Sequence, residues 1–328
     1  MKLLILLQHR LNLWTVPAWF SDRLRQEFPQ LEVVHLNSYA GAEAELRDAE
    51  IALMLSLRSE QFAVAKLLRW IHSPAAAVHE LMLPELVKSD VMITNAREVH
   101  APVVAEHVIA LLFALAKALP QAVRLQQKRE WGQEAIWNGP ARPREISGAT
   151  LGLVGLGSIG RAVAHHAAAL GMRVIATRER PEQGTPEGVQ QVFGSAQIDV
   201  LLKQSDFVVL AAPQTPATRG LMNEGRFACM KSSAYLINVG RGPLIDEAAL
   251  VRALRDHKIA GAALDVFDQE PLPSDSPLWD LDNLLITPHT AGLAERLWER
   301  EYVLFAENLR RYLSGQPLLA LVDKHKGY

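Results

Sequence analysis

The stretch TLGLVGLGSIGRAVAHHAAALGMRVIAT, residues 150–177, constrains the fold more than any other. An apolar run ends in glycines. The glycines open a segment in which Ile159, Val163 and Leu170 recur at helical spacing, and a second apolar run, MRVIAT, follows. Strand, turn, helix and strand in that order make a βαβ unit, which belongs to a parallel sheet. Gly155, Gly157 and Gly160 stand in G-x-G-x-x-G spacing. The first two let the backbone turn tightly and approach a pyrophosphate, and the third allows close helix–strand packing. Exposed N–H groups at the start of the helix, and its positive end, favour a diphosphate. The segment therefore predicts dinucleotide binding.

The same alternation runs along the whole chain. LLILL (3–7), LEVVHL (31–36), IALML (51–55), LRWIH (68–72) and VMIT (91–94) form one series of short apolar runs. TLGLVGL (150–156), MRVIAT (172–177), FVVLAAP (207–213), AYLINV (234–239), AGAALDV (260–266) and NLLITP (283–288) form a second. Two series in 328 residues predict two α/β domains, each large enough to bury a core. Between them lies an apolar helix with Pro102 in its first turn and Pro120 ending or kinking it. Residues 130–148, rich in Gly and Pro, read as a surface connection, and 294–315 as a long amphipathic helix stopped by Gly315.

Composition removes several classes of function. The net charge of −2, with no long basic run, gives no footprint for nucleic acid. Cys229 is the single cysteine, so no intrachain disulfide forms and a reducing compartment fits. MKLLILL reads as a first strand rather than a signal peptide, and 108–119 is short for a membrane span and contains Lys117. The expectation is a cytoplasmic protein without membrane partners. His165 and His166 are adjacent on a helix, and the EH at 106–107 lacks a second histidine four residues away, so no metal is predicted.

Three chemically distinct residues sit at or just beyond strand ends: Arg241 in INVGRGPLIDE, Glu270 in LDVFDQEPLP and His289 in ITPHTAG. In a doubly wound sheet ligands bind outside the carboxyl ends of the strands, so all three are candidates for one crevice. Arginine offers a fork of donors, histidine titrates near neutral pH, and a glutamate bonded to the ring fixes its tautomer.

With GLGSIG, INVGRGPLIDEAAL, GAALDVFDQEPLP, SPLW and ITPH in that order across 151–291, the chain resembles the D-isomer-specific 2-hydroxyacid dehydrogenase family. That family includes phosphoglycerate, glyoxylate/hydroxypyruvate and D-lactate dehydrogenases. The resemblance implies two doubly wound parallel-sheet domains: a discontinuous, flavodoxin-like substrate domain (1–99 and 292–328) and a Rossmann cofactor domain (100–291). It implies a homodimer formed with help from the Pro102-to-Pro120 helix. It assigns Arg241, Glu270 and His289 to catalysis, Asp265 to the nicotinamide carboxamide, and Ser158, Ile159, Ala212, Pro213, Val239, Gly240, Ala291 and Gly292 to the cofactor's surroundings. RWIHSPAAAVHELMLPEL resembles the family loop whose backbone N–H groups receive the substrate carboxylate, with Ala76 and Ala77 in that place. Many relatives have glycine at the second position, and often glycine where this chain has Glu98. Both departures reshape the pocket. His100, Trp131 and Trp137 are candidates either to approach the substrate or to pack.

Cofactor choice rests on ATRER. Counted as the family counts it, the acid that accepts from the ribose hydroxyls falls at Arg178. An arginine binds a 2′-phosphate bidentately where an acid repels it, Thr177 adds a hydroxyl, and Arg180 adds charge. The alternative has Glu179 on the ribose and both arginines solvated. NADP(H) is preferred over NAD(H). The leading expectation is therefore an NADP(H)-linked reductase of a small, glyoxylate- or hydroxypyruvate-like 2-oxo acid. The alternatives are an NAD-dependent member acting on phosphoglycerate or D-lactate, and a dinucleotide-sensing corepressor.

Overall fold

In the computed structural model, which describes residues 1–8, 12–140 and 142–328, the chain divides into two compact units. Met1–His100 with Leu293–Tyr328 form the first, and Ala101–Gly292 the second.

The first unit carries β1 (Lys2–Leu6), β2 (Glu32–Leu36), β3 (Ile51–Met54), β4 (Trp70–Ser73) and β5 (Met92–Asn95). They lie in the order β2-β1-β3-β4-β5 with every pairing parallel, the flavodoxin-like arrangement. A parallel sheet covered on both faces needs strands without polar alternation, and β1 is buried throughout. Leu3 and Ile5 join one core cluster with Phe20 and Trp70, while Leu4 and Leu6 join another with Ile71 and Leu86. Helix Leu297–Leu313 returns to this unit because its apolar stripe of Trp298, Tyr302, Phe305 and Leu309 completes the first cluster.

The second unit carries β6 (Thr150–Val154), β7 (Arg173–Arg178), β8 (Gln191–Gly194), β9 (Phe207–Leu210), β10 (Tyr235–Asn238), β11 (Gly261–Leu264) and β12 (Leu284–Ile286). Their order is β12-β11-β10-β9-β6-β7-β8, again all parallel. Strand order reverses at β6 and β9, so a crevice opens at the carboxyl ends of that central pair. Both units are thus doubly wound parallel-sheet folds.

The apolar helix breaks ahead of Pro120 as expected: it ends at Ala116, Ala118 turns left-handed at φ +51°, and Pro120 lies in the first turn of a new helix, Leu119–Gln127. Two expectations need correction. The helix expected to carry Pro102 in its first turn runs Arg97–Ala116, so that proline is its sixth residue. The 130–148 connection contains a short helix, Gln133–Trp137. Helix Arg97–Ala116 is long and apolar enough to cross a membrane by length and composition. It is instead a core helix: Val104, Val108, Leu111, Leu112 and Leu115 pack with Leu151 and Val163.

Candidate functional site

The turn after β6 is shaped by what it cannot hold. Gly155 has φ +102°, and a Cβ there would lie 2.8 Å from the backbone of Ala211 and Ala212 at the end of β9. The Gly155 N–H donates to Thr177 O at 3.1 Å, tying the turn to β7. A Cβ at Gly160 would meet Gly155 O at 2.2 Å, so only glycine lets helix Ser158–Ala169 start this close to the turn. Gly157, the residue before that helix, has no side-chain oxygen to cap it, and a Cβ there would meet nothing within 4 Å. A helix start without a side-chain cap, reached over a glycine, fits a diphosphate, since anion oxygens are natural acceptors for first-turn N–H groups.

Neighbouring strand ends carry the remaining cofactor candidates. Ala212 and Pro213 follow β9, Val239 and Gly240 follow β10, Asp265 follows β11, and Ala291 and Gly292 follow β12. At the end of β7, Thr177 is buried and Arg178 pairs in register with Gly194. The Arg178 guanidinium donates to Gly184 O at 3.2 Å and to the Gln183 side chain, which holds the 178–184 loop against the strand end.

The proton-transfer candidates meet directly. His289 Nδ1 lies 2.6 Å from Glu270 Oε2, and Glu270 Oε1 accepts from Phe267 N at 2.9 Å. Burial works to raise the Glu270 carboxyl. The bonds from His289 and Phe267 N–H and the charge of Arg241 outweigh it, so the carboxyl is held below its ordinary value. Burial pushes the Arg241 guanidinium down, opposed by Glu270. Arg241 Nη1 donates to Gly240 O at 2.6 Å. The turn carrying it is fixed by Asn238, which is fully buried, donates to Arg241 O and accepts from Gly240 N, both at 3.0 Å.

His289 is itself left-handed, at φ +53°, a conformation an ordinary residue keeps only when its surroundings impose it. Asp265 imposes it. Its carbonyl accepts from His289 N at 2.9 Å. Its carboxylate accepts from Thr287 Oγ1 (2.6 Å), Thr290 N (2.8 Å) and Ala291 N (3.0 Å). Because Thr287 spends its proton on Asp265, its oxygen accepts from His107 Nε2 at 3.1 Å. Burial keeps the His107 imidazole below its ordinary range, against the pull of Asp265.

In the first unit, Ala76 and Ala77 sit in the loop after β4, half-buried and without positive φ, so alanine in place of glycine brings no left-handed strain. His100 is buried, its Nε2 bonded to Pro74 O at 3.0 Å and its ring against Trp14. Trp131 is 93% exposed and Trp137 is also exposed. Asn95, Asn238, Thr287 and His107 escape the sequence reading. For the first three the available signal was a polar residue closing or just following an apolar strand run (VMITN, YLIN, NLLIT). A cavity of about 630 Å³ in the second unit lies elsewhere, lined by Leu115, Arg124, Tyr235, Leu254 and Leu285 toward the amino ends of the strands. Among the described residues no three His, Cys, Asp or Glu side chains are grouped to hold a metal ion.

Fold and site together define a class: a two-unit α/β oxidoreductase built around a nicotinamide dinucleotide. Residues 109–291 match the family model described as D-isomer specific 2-hydroxyacid dehydrogenase, NAD binding domain. The chain belongs to the D-isomer specific 2-hydroxyacid dehydrogenase family, oxidoreductases acting on a CH–OH group. It is 35% identical over 287 residues to a glyoxylate reductase of Thermofilum pendens, covering 85% of this chain and 83% of that one. A D-3-phosphoglycerate dehydrogenase of Methanocaldococcus jannaschii is 32% identical over 278 residues, 83% of this chain but 51% of its own length. Among solved structures, a D-isomer specific 2-hydroxyacid dehydrogenase of Xanthobacter autotrophicus in complex with NADPH and MES superimposes with TM-score 0.85. Its identity is 32%, with 100% of this chain and 99% of that chain covered. An NADPH-dependent glyoxylate/hydroxypyruvate reductase of Sinorhizobium meliloti in complex with NADP and sulfate gives TM-score 0.82 at 27% identity, covering 100% and 99%.

Proposed function

We propose that the chain reduces small 2-oxo acids of the glyoxylate/hydroxypyruvate type with NADPH, and in reverse oxidises the D-2-hydroxy acid. The observation that carries this reading is the His289–Glu270 pair, 2.6 Å apart and electrostatically linked to the half-buried Arg241. The names of the glyoxylate reductase relatives and of the NADPH-dependent neighbour support it.

The bound dinucleotide supplies a hydride to the substrate's carbonyl carbon. Arg241 holds the acid and polarises the carbonyl, and its charge meets the negative charge developing on oxygen. His289 delivers a proton to that oxygen from Nε2. Glu270, bonded to Nδ1, fixes the tautomer that leaves Nε2 facing substrate and stabilises the imidazolium. The His289 side chain is 49% exposed, so it regains its proton from water. Asp265 holds the loop that carries His289. Its Oδ2 has one bonded partner and keeps capacity to accept from a carboxamide.

Gly155, Gly157, Ser158, Ile159 and Gly160 would take the diphosphate, and Ala212, Pro213, Val239, Gly240, Ala291 and Gly292 would line the rest of the dinucleotide. Arg178, with Thr177 beside it, would take a 2′-phosphate. A second reading, an NAD-dependent enzyme, draws on the existing engagement of Arg178 with Gln183 and Gly184. In the first unit, the loop bearing Ala76 and Ala77 would receive the substrate carboxylate, which makes Met1–His100 with Leu293–Tyr328 the substrate domain. The exposed Leu119, Val123, Trp131 and Trp137 suit contact with a second copy of the chain.

The test is His289→Asn. Reduction of glyoxylate or hydroxypyruvate should fall by about 10²- to 10⁴-fold, the usual worth of a positioned proton donor, while NADPH titration stays unchanged. Turnover like that of the wild type would remove His289 from the mechanism.

A further inference from the structure

The loop after β4 is pinned by three successive carbonyls. Pro74 O accepts from His100 Nε2 at 3.0 Å, Ala75 O from Ala96 N at 3.1 Å, and Ala76 O from Asn95 Nδ2 at 2.7 Å. All three donors come from one short segment, 95–100, that leaves β5 and enters the following helix.

A trans peptide sets its C=O and the next N–H on opposite sides. Holding the carbonyls of Ala75 and Ala76 toward segment 95–100 therefore turns the N–H groups of Ala76 and Ala77 away from it. Among the described residues neither N–H donates a hydrogen bond, whereas the Ala75 N–H is taken by Ser73 Oγ at 3.4 Å. Successive N–H groups turned to one side form a concavity suited to an anion. The donors that create it are themselves inaccessible: Asn95 is 1% and His100 4% exposed. His100, a sequence candidate for substrate contact, acts instead through Pro74. Because Pro74 O can only accept, the ring proton sits on Nε2.

We propose that Asn95 and His100 are positioning residues for substrate binding: by fixing the Pro74–Ala76 carbonyls they aim the Ala76 and Ala77 N–H groups at the substrate carboxylate. This rests on the reductase reading above, in which that loop receives the carboxylate. Both residues are buried within the first unit and act through the loop carbonyls they hold. Losing either should weaken acid binding selectively, because the carboxylate is held alike in the ground and transition states.

The experiment uses the full chain with three variants: His100→Leu, which removes the donor; His100→Gln, whose amide nitrogen reaches where Nε2 stood; and Asn95→Asp, which is nearly isosteric and replaces the donor with an acceptor. The readouts are KM for glyoxylate, the inhibition constant of oxamate as a non-reacting carboxylate, kcat, and the Kd of NADPH by fluorescence titration. For His100→Leu and Asn95→Asp, KM and the oxamate constant should rise together by about tenfold, the worth of one buried bond left unmade. Over the same variants kcat and the NADPH Kd should change by less than about threefold, and His100→Gln should recover most of the loss. Asn95→Asp carries the test if His100→Leu does not fold. An unchanged KM in an active enzyme overturns this inference alone. So does a rise shared equally by the NADPH Kd, or a His100→Gln variant as impaired as His100→Leu. A wild type that binds NADPH yet reduces no 2-oxo acid overturns the reductase reading and this inference with it.

Discussion

Replacing Glu270 by Gln keeps the side chain's size and its ability to accept from Phe267 N but removes the charge 2.6 Å from His289 Nδ1. Two unit charges about 4 Å apart interact by about 1 kcal/mol in water and about 4 kcal/mol at the effective dielectric of a protein surface. The pair is partly open to solvent, with side-chain exposures of 49% and 33%. The lower part of that range therefore applies, about 1–2 kcal/mol, or roughly tenfold in rate. Glu270 orients the ring through Nδ1 and offsets the charge on it while the proton moves, so kcat/KM for the 2-oxo acid should fall by about tenfold in Glu270→Gln. In the wild type the carboxyl is held below its ordinary value, so its contribution is complete above the ordinary glutamate range and is lost only as pH falls through the depressed value. Steady-state pH profiles are the assay: the wild type should lose its advantage over Glu270→Gln as pH falls through the depressed carboxyl value. A ratio of wild-type to Glu270→Gln rates that stays constant across that range refutes the electrostatic role of Glu270.

Two further predictions follow from the same crevice. Asp265→Asn puts an amide nitrogen where a carboxylate oxygen now accepts, leaving Ala291 N or the Thr287 and Thr290 donors unmatched. It should cost about 1–3 kcal/mol, several degrees in Tm, and lower kcat as the left-handed His289 loses its frame. Calorimetry with steady-state kinetics checks this, and an unchanged Tm argues against the framing role. Arg178→Asp should weaken NADPH use at least about tenfold more than NADH use, since it replaces a phosphate-binding fork with a like charge. Equal losses with both cofactors would refute the assignment of Arg178.

Much of this was legible because parallel strands covered on both faces announce themselves as unbroken apolar runs. The exception, β8, shows why. It is an edge strand, pairs only with β7, and reads QVFG, too short and too polar to form such a run. The early start of the helix holding Pro102 was hidden because REVH carries no apolar periodicity; His100 and Val99 are buried there by packing within the first unit. Arg241, Glu270 and His289 stood out through the motifs around them. Their supports did not. Asn238 and Asn95 end apolar strands as unremarkable polar residues, and His107 bonds to Thr287 across 180 positions of sequence. Such partnerships arise only when distant strand ends meet. The Arg178–Gln183 contact is local, yet nothing in ATRERPEQG distinguishes a bonded glutamine from a solvated one.

The most direct measurement of the central claim is steady-state oxidation of NADPH and NADH, run in parallel over glyoxylate, hydroxypyruvate and a branched 2-oxo acid. The account predicts turnover of at least one acid, with one hydroxy acid formed per dinucleotide oxidised and a higher kcat/KM for NADPH. A protein that binds dinucleotide but turns over none of these acids would contradict it.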